Sequence, residues 1–133
     1  MTKVHSRIIV EILGSPEKHV KEVINLVVDK IKHEKDTKII KESISEPKEV
    51  KGFISMFAEM ELETPDVTTL MNICFDYMPS SVEILGPDKL EFNSRYLTDL
   101  MNDILAKLHQ YDMVMKNLYA QSKMLERKLS EKK

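Results

Sequence analysis

Residues 53–64 read FISMFAEMELET, and the chemistry of this stretch changes at every step. Successive side chains of a β-strand point to opposite faces, so strict alternation predicts a strand with one face on a core. The residues expected on the core face are Ile54, Met56, Ala58, Met60 and Leu62. The residues expected on the other face are Phe53, Ser55, Phe57, Glu59 and Glu61.

Three further segments around this stretch have strand character. RIIVEIL (7–13) is apolar and rich in β-branched residues, and Gly14 follows it, so it predicts the first strand. TKIIKESIS (37–45) predicts the second strand. SSVEILGPDKLEF (80–92) predicts a fourth extended segment, with a turn or bulge at Gly86. EPKEVKG (46–52) is typical of a turn.

Two helices are predicted between these strands. The first begins with Ser15 as N-cap and Pro16 at the first helical position, and the second with Thr64 and Pro65 in the same roles. Apolar residues recur at helical spacing in each and predict a buried stripe. The first stripe is Val20, Val23, Ile24, Val27, Val28 and Ile31. The second stripe is Val67, Leu70, Met71, Cys74 and Met78, so Cys74 is expected to be a core residue.

The element order is strand, helix, strand, strand, helix, strand. This order predicts an α+β fold of the ferredoxin-like βαββαβ type over residues 1–93, with both helices on one face of an antiparallel sheet. Residues 94–133 form a second part, which is one long C-terminal helix capped by Asn93 or Ser94.

This last helix contains ILAKLHQYDMVMKNLYAQSKMLERKL (104–129), which has neither Gly nor Pro. At 1.5 Å per residue, roughly 37 residues would span about 55 Å, which exceeds a domain of this size. Apolar residues spaced alternately four and three apart form a heptad pattern along this helix. The pattern predicts that the first part of the helix docks on the domain and that the later part makes a coiled-coil-like contact with another helix. The residues expected in a homodimer interface are Tyr111, Met115, Leu118, Ser122, Leu125 and Leu129.

The end of this helix is also basic. Lys116, Lys123, Arg127 and Lys128 are candidate contacts to RNA or to a ribosome. Basic residues late in a helix also interact favourably with its dipole, and this simpler explanation stays open.

The non-core face of the sheet gives a further set of candidates: Glu11, Phe53, Phe57 and Glu59, with Glu61 and Glu83 beside them. KGFISMF (51–57) partly resembles the third-strand signature of RNA-recognition-motif domains. Lys51, Gly52 and Phe53 match that signature, but Ser55 and Ile9 occupy positions where those domains have aromatic residues. The carboxylates are expected to be a solvated face, paired with Lys41, and no metal site is predicted.

Composition restricts the function classes. A formal net charge of −2 argues against a surface built as a whole to bind nucleic acid or anionic lipid. One cysteine and the short apolar run at the N-terminus predict a cytoplasmic protein without a membrane span. His5, His19, His33 and His109 lack metal-site spacing, and neither a phosphate loop nor a nucleophile motif is present, so we expect no cofactor and no enzyme activity.

CFDYMPSSVEILGPDKLEF (74–92) followed by LTDLMNDILAKLHQYDMVMKNL (97–118) resembles small archaeal proteins of unassigned function, with an α+β core and a long C-terminal helix. The resemblance implies an archaeal source and no particular activity. The sequence therefore predicts a non-enzymatic interaction or adaptor protein that self-associates through its last helix. Two alternatives stay open: an RNA- or ribosome-binding protein, and a regulatory domain that binds a small ligand.

Overall fold

The computed structural model describes residues 3–132, which form a mixed α+β architecture with a five-stranded antiparallel sheet and three helices. The elements are β1 (Val4–Gly14), α1 (Glu17–Lys32), β2 (Lys38–Ile44), β3 (Lys48–Val50), β4 (Phe53–Thr64), α2 (Val67–Tyr77), β5 (Ser81–Gly86) and α3 (Ser94–Glu131). The chain divides into two compact units, one that ends at Leu90 and one that begins at Glu91. The first is the α+β unit, and the second contains α3.

The central pair of strands is β1 and β4, which run antiparallel over the full length of β1, from Val4 opposite Thr64 to Gly14 opposite Ile54. The sheet order is β2-β4-β1-β5, and β3 forms a hairpin with β4. Helix α1 therefore connects two strands that lie on either side of β4, and α2 connects two that lie on either side of β1.

Both helices pack on the same face of the sheet. The alternation in β4 places Met56, Ala58, Met60 and Leu62 in the core, as predicted, with Ile54 packed against its edge. Helix α1 contributes the buried residues Val20, Ile24, Val28 and Ile31. The first predicted helical stripe is thus the one that meets the sheet.

The stripe of α2 differs from the prediction. Leu70 and Ile73 are the buried residues of this helix, whereas Met78 is exposed. Met78 follows the helix in the left-handed conformation, with φ of 49°, so it no longer continues the helical spacing. Tyr77 packs partly against the core, and its hydroxyl donates a hydrogen bond to Glu34. Burial, together with this hydrogen bond, raises the pKa of Tyr77 to about 12.

The predicted turn at residues 46–52 contains the short strand β3, so the sheet has five strands where four were predicted. The turn itself is only Lys51 and Gly52, both with positive φ, and it brings Val50 opposite Phe53. Two-residue hairpins of this kind need positive φ at both central positions, which explains the glycine. The fourth extended segment also ends earlier than predicted, at Gly86.

The two N-caps predicted before proline are wrong. Helix α1 has Pro16 itself at the N-cap, without a side-chain hydrogen bond, so Ser15 lies outside the helix. Thr64 belongs to β4, and the N-cap of α2 is Asp66, whose Oδ1 accepts hydrogen bonds from Thr69 N (2.8 Å) and Thr69 Oγ1 (2.7 Å). A carboxylate at this position satisfies two donors and also opposes the helix dipole.

This capping geometry predicts different costs for two substitutions. Asp66→Ala should lower the free energy of unfolding by about 1 kcal/mol, because it removes the cap of α2. Ser15→Ala should change it by less than about 0.5 kcal/mol, because Ser15 caps no helix. Urea unfolding followed by circular dichroism measures both, and equal losses in the two variants would contradict the assignment of Asp66 as the cap.

Candidate interaction surface

Helix α3 is a continuous helix of 38 residues, roughly 57 Å long. Asn93 caps it, since its side-chain oxygen accepts a hydrogen bond from Tyr96 N at 2.7 Å. Ion pairs one turn apart support its surface, such as Lys116 Nζ with Asp112 Oδ2 at 2.8 Å. None of the helices in the described residues is long and apolar enough to cross a membrane.

One side of α3 carries an apolar seam, which we define as the heptad positions between Tyr111 and Leu129. The seam residues are Tyr111, Met115, Leu118, Ser122, Leu125 and Leu129. Their side chains are exposed, with exposed fractions of 58% for Leu118, 60% for Leu125 and 65% for Leu129. Leucines in this state expose apolar area that pairing with another surface would remove from water.

Three basic residues near the end of α3 lie on a different side of the helix from the seam. Lys116, Lys123 and Arg127 are spaced seven and four apart, so they share one stripe that points away from the seam. Acidic neighbours offset part of this charge: Asp112 contacts Lys116, and Glu126 Oε2 lies 3.7 Å from Lys123 Nζ. Lys128 lies outside the stripe, at the border of the seam.

In the α+β unit, the sheet face opposite α1 and α2 is organised around Arg7. This outer face brings three carboxylates to the guanidinium: Nη2 donates to Glu61 Oε1 (3.2 Å) and Nη1 to Glu83 Oε2 (3.3 Å). Nε lies 2.9 Å from Glu59 Oε1 but makes no hydrogen bond, so that contact is an ion pair alone. Arg7 therefore offsets one of the three negative charges that surround it on the outer face.

The pKa values on the outer face reflect this arrangement. The hydrogen bond from Arg7 lowers the pKa of the Glu61 carboxyl, and Glu61 in turn raises the pKa of Arg7. His5 Nε2 lies 3.4 Å from the other Glu61 oxygen. Lys41 stands opposite Glu61 in the β2–β4 pairing and lines, with Arg7 and Ser43, a small polar cavity of about 170 Å³.

The other end of the outer face is apolar. Phe53 and Phe57 have exposed fractions of 50% and 40%, and Leu13, which pairs with Ser55, is exposed between them. Glu11 stands opposite Phe57 and accepts a hydrogen bond from Ser55 Oγ at 3.4 Å, away from the Arg7 cluster. Glu11 and Glu59 thus lie on the same face but have different partners, since Glu11 contacts Ser55 and Glu59 contacts Arg7.

A groove of about 450 Å³ lies between α2 and β5. Its lining residues are all apolar: Val67, Leu70, Met71, Cys74, Val82 and Ile84. Cys74 is half-buried there, and burial raises the pKa of its thiol, as expected of a packing residue. The groove has the volume of a small-molecule site, but its described lining residues have no charged or amide side chain to orient a ligand.

Comparison with known protein families identifies the chain's relatives. Residues 5–133, nearly the whole sequence, match the family model named MJ0538 family. The chain belongs to the MJ0538 family. The family takes its name from a Methanocaldococcus protein, which is compatible with the small archaeal proteins that the sequence resembles, and the match gives no function. No curated protein matches the chain at a significant level.

In this MJ0538-family chain, sequence reasoning missed Arg7. The first strand was predicted to begin at that residue, whereas β1 begins at Val4 and places Arg7 in its interior. The spacing of Arg7 and Glu11, four apart on one strand, was the available signal that both face outward. The described residues contain no group of three or more His, Cys, Asp or Glu side chains that could hold a metal ion.

The Arg7 cluster predicts a pH-dependent stability. A lowered carboxyl pKa in the folded state contributes stability above the ordinary carboxyl pKa, and this contribution is lost as the pH falls through the folded value. Arg7→Met should therefore lower the urea midpoint at about pH 7, and the difference from the parent should shrink at about pH 3. Lys3→Met is the control, because Lys3 pairs with Glu63 from an exposed position. A decrease in the urea midpoint of Arg7→Met that is equal at both pH values would contradict the electrostatic role of Arg7.

Proposed function

We propose that this protein is a non-enzymatic interaction protein that forms a homodimer through the α3 seam. The observation that carries the proposal is the sustained heptad pattern of exposed apolar residues from Tyr111 to Leu129. A helix whose apolar residues repeat every 3.5 residues on average buries them against another helix with the same repeat. A second copy of this chain supplies such a helix.

The energetics of the seam are compatible with a stable dimer. Full burial of a leucine side chain is worth about 1.5–3 kcal/mol, so the six seam leucines of two copies contribute on the order of 10 kcal/mol. This gain is comparable with the roughly 4–15 kcal/mol that association costs in lost freedom of motion. Met115 and Tyr111 add further apolar area.

We also infer that the α+β unit has ferredoxin-like topology. The short strand β3 extends the hairpin with β4, so the main strands are β1, β2, β4 and β5. Their order, β2-β4-β1-β5, places the first and third of them, β1 and β4, in the centre, as in the split β-α-β arrangement. The lone cysteine supports a cytoplasmic location for the protein.

A charged residue in the seam tests the proposal. Leu118→Glu should convert the dimer to a monomer, because pairing would place two carboxylates in the interface. Met113→Glu is the matched control, since Met113 is exposed on the same helix but away from the seam. Light scattering after size-exclusion chromatography should show a dimer for the parent and the control and a monomer for Leu118→Glu. A parent that is monomeric, or a Leu118→Glu variant that stays dimeric, contradicts the proposal.

The stripe of Lys116, Lys123 and Arg127 favours a second candidate, which is RNA binding on the side of α3 away from the seam. Such binding would be electrostatic. The logarithm of the association constant for a mixed-sequence single-stranded RNA oligonucleotide should therefore fall linearly with the logarithm of the salt concentration. Charge reversal at Lys123 and Arg127 should weaken it at least about ten-fold, whereas Lys35→Glu, outside α3, should not. Fluorescence anisotropy gives the measurement, and an affinity insensitive to salt would exclude this candidate.

A further inference from the structure

We propose that the two α3 helices pair in parallel and in register, with Lys107 of each copy facing Asp112 of the other. This inference rests on the proposed function, because it assigns an orientation to the same dimer. It depends on the residues that border the seam. In a coiled coil, such flanking residues determine which orientation of the partner is favoured.

Each layer of the seam has two flanking residues. Lys107, Val114 and Gln121 directly precede Leu108, Met115 and Ser122, of which Leu108 is the heptad position just before the seam. Asp112, Tyr119 and Glu126 directly follow Tyr111, Leu118 and Leu125. In heptad terms the first three occupy g positions and the second three occupy e positions.

In a parallel pair, each g residue faces the e residue five positions later on the partner. Lys107 then meets Asp112, Val114 meets Tyr119, and Gln121 meets Glu126. Each pairing joins compatible chemistry, since it matches opposite charges, two apolar side chains, or an amide with a carboxylate. Three successive heptads therefore agree on the same orientation. The next g residue is Lys128, and its counterpart five positions later is Lys133, so this last pairing joins like charges and does not favour the parallel pair.

In an antiparallel pair, e residues face e residues and g residues face g residues. With the seam centred on Leu118 and Ser122, Asp112 would face Glu126 of the second copy, and Val114 would face Lys128. Like charges placed opposite each other are destabilising. The antiparallel pair thus lacks the matches that the parallel pair makes.

Ser122 supplies a second, independent reason. It is the polar member of the seam, and a single polar residue inside a coiled coil fixes the register at which the helices meet. In the parallel pair it lies against Ser122 of the second copy, where two hydroxyl groups can hydrogen-bond. In the centred antiparallel pair it would lie against Leu118, which leaves its hydroxyl without a partner.

The contacts that Asp112 and Glu126 make within α3 are compatible with these pairs. Asp112 contacts Lys116 through Oδ2 at 2.8 Å, and Glu126 contacts Lys123 through Oε2 at 3.7 Å. A carboxylate accepts about four hydrogen bonds through its two oxygens, so each can accept one more donor from the second copy.

Disulfide trapping in the full chain tests the orientation. In a Cys74→Ala background, Ser122→Cys places the thiols of a parallel in-register dimer against each other, so mild oxidation should link the two chains. Ala120→Cys, away from the seam, is the control and should cross-link at least about ten-fold more slowly. Non-reducing electrophoresis measures the linked fraction, and light scattering measures the mass of the reduced variants.

The outcomes separate the two claims. A dimer that cross-links at residue 122 supports the parallel pair. A dimer in which Ser122→Cys links no faster than the control, or links instead to a Leu118→Cys chain, overturns the orientation but leaves self-association standing. A reduced parent chain that is monomeric overturns both claims.

The charge pair gives an additional readout. Lys107→Glu should weaken the dimer about two- to ten-fold, since it creates two like-charge pairs, and Asp112→Lys should do the same. Mixing these two variants should recover the affinity, because each chain then faces the opposite charge. Sedimentation equilibrium measures all three samples, and a mixture no tighter than the single variants would contradict the Lys107–Asp112 pairing.

Discussion

The antiparallel pairing of β1 with β4 is the interaction on which the α+β unit depends. It runs along the whole of β1 and fixes which side chains of both strands share a face. One face becomes the core beneath α1 and α2, and the other brings Arg7 to Glu61 and leaves Phe53 and Phe57 exposed. A shift of this pairing by one residue would exchange the two faces.

The second unit follows from a different constraint, which is the cost of leaving apolar side chains in water. Helix α3 carries a heptad seam whose leucines are more than half exposed. A long helix of this composition gains most of its stability from packing its apolar face, not from helix propensity. The proposed self-association would remove this apolar area from water, and the flanking residues would then set the orientation of the two helices.

The elements with a regular period could be predicted from the sequence, namely the alternation of β4, the stripe of α1 and the length of α3. Helix starts were predicted less well, because Ser15 and Thr64 precede prolines in the same way but neither is the cap. The position of the proline did not indicate Asp66, which caps α2 by accepting two hydrogen bonds from Thr69. Arg7 was missed since its role depends on carboxylates from two other strands, and such contacts arise only from strand pairing.

The most direct test of the account is backbone hydrogen exchange between Tyr111 and Leu129 as a function of protein concentration. If the seam pairs with a second copy, amides in this segment exchange slowly in concentrated samples and faster on dilution, while those of β1 and β4 do not change. Exchange in this segment that is fast at every concentration, in a chain that sediments as a monomer, would contradict the account.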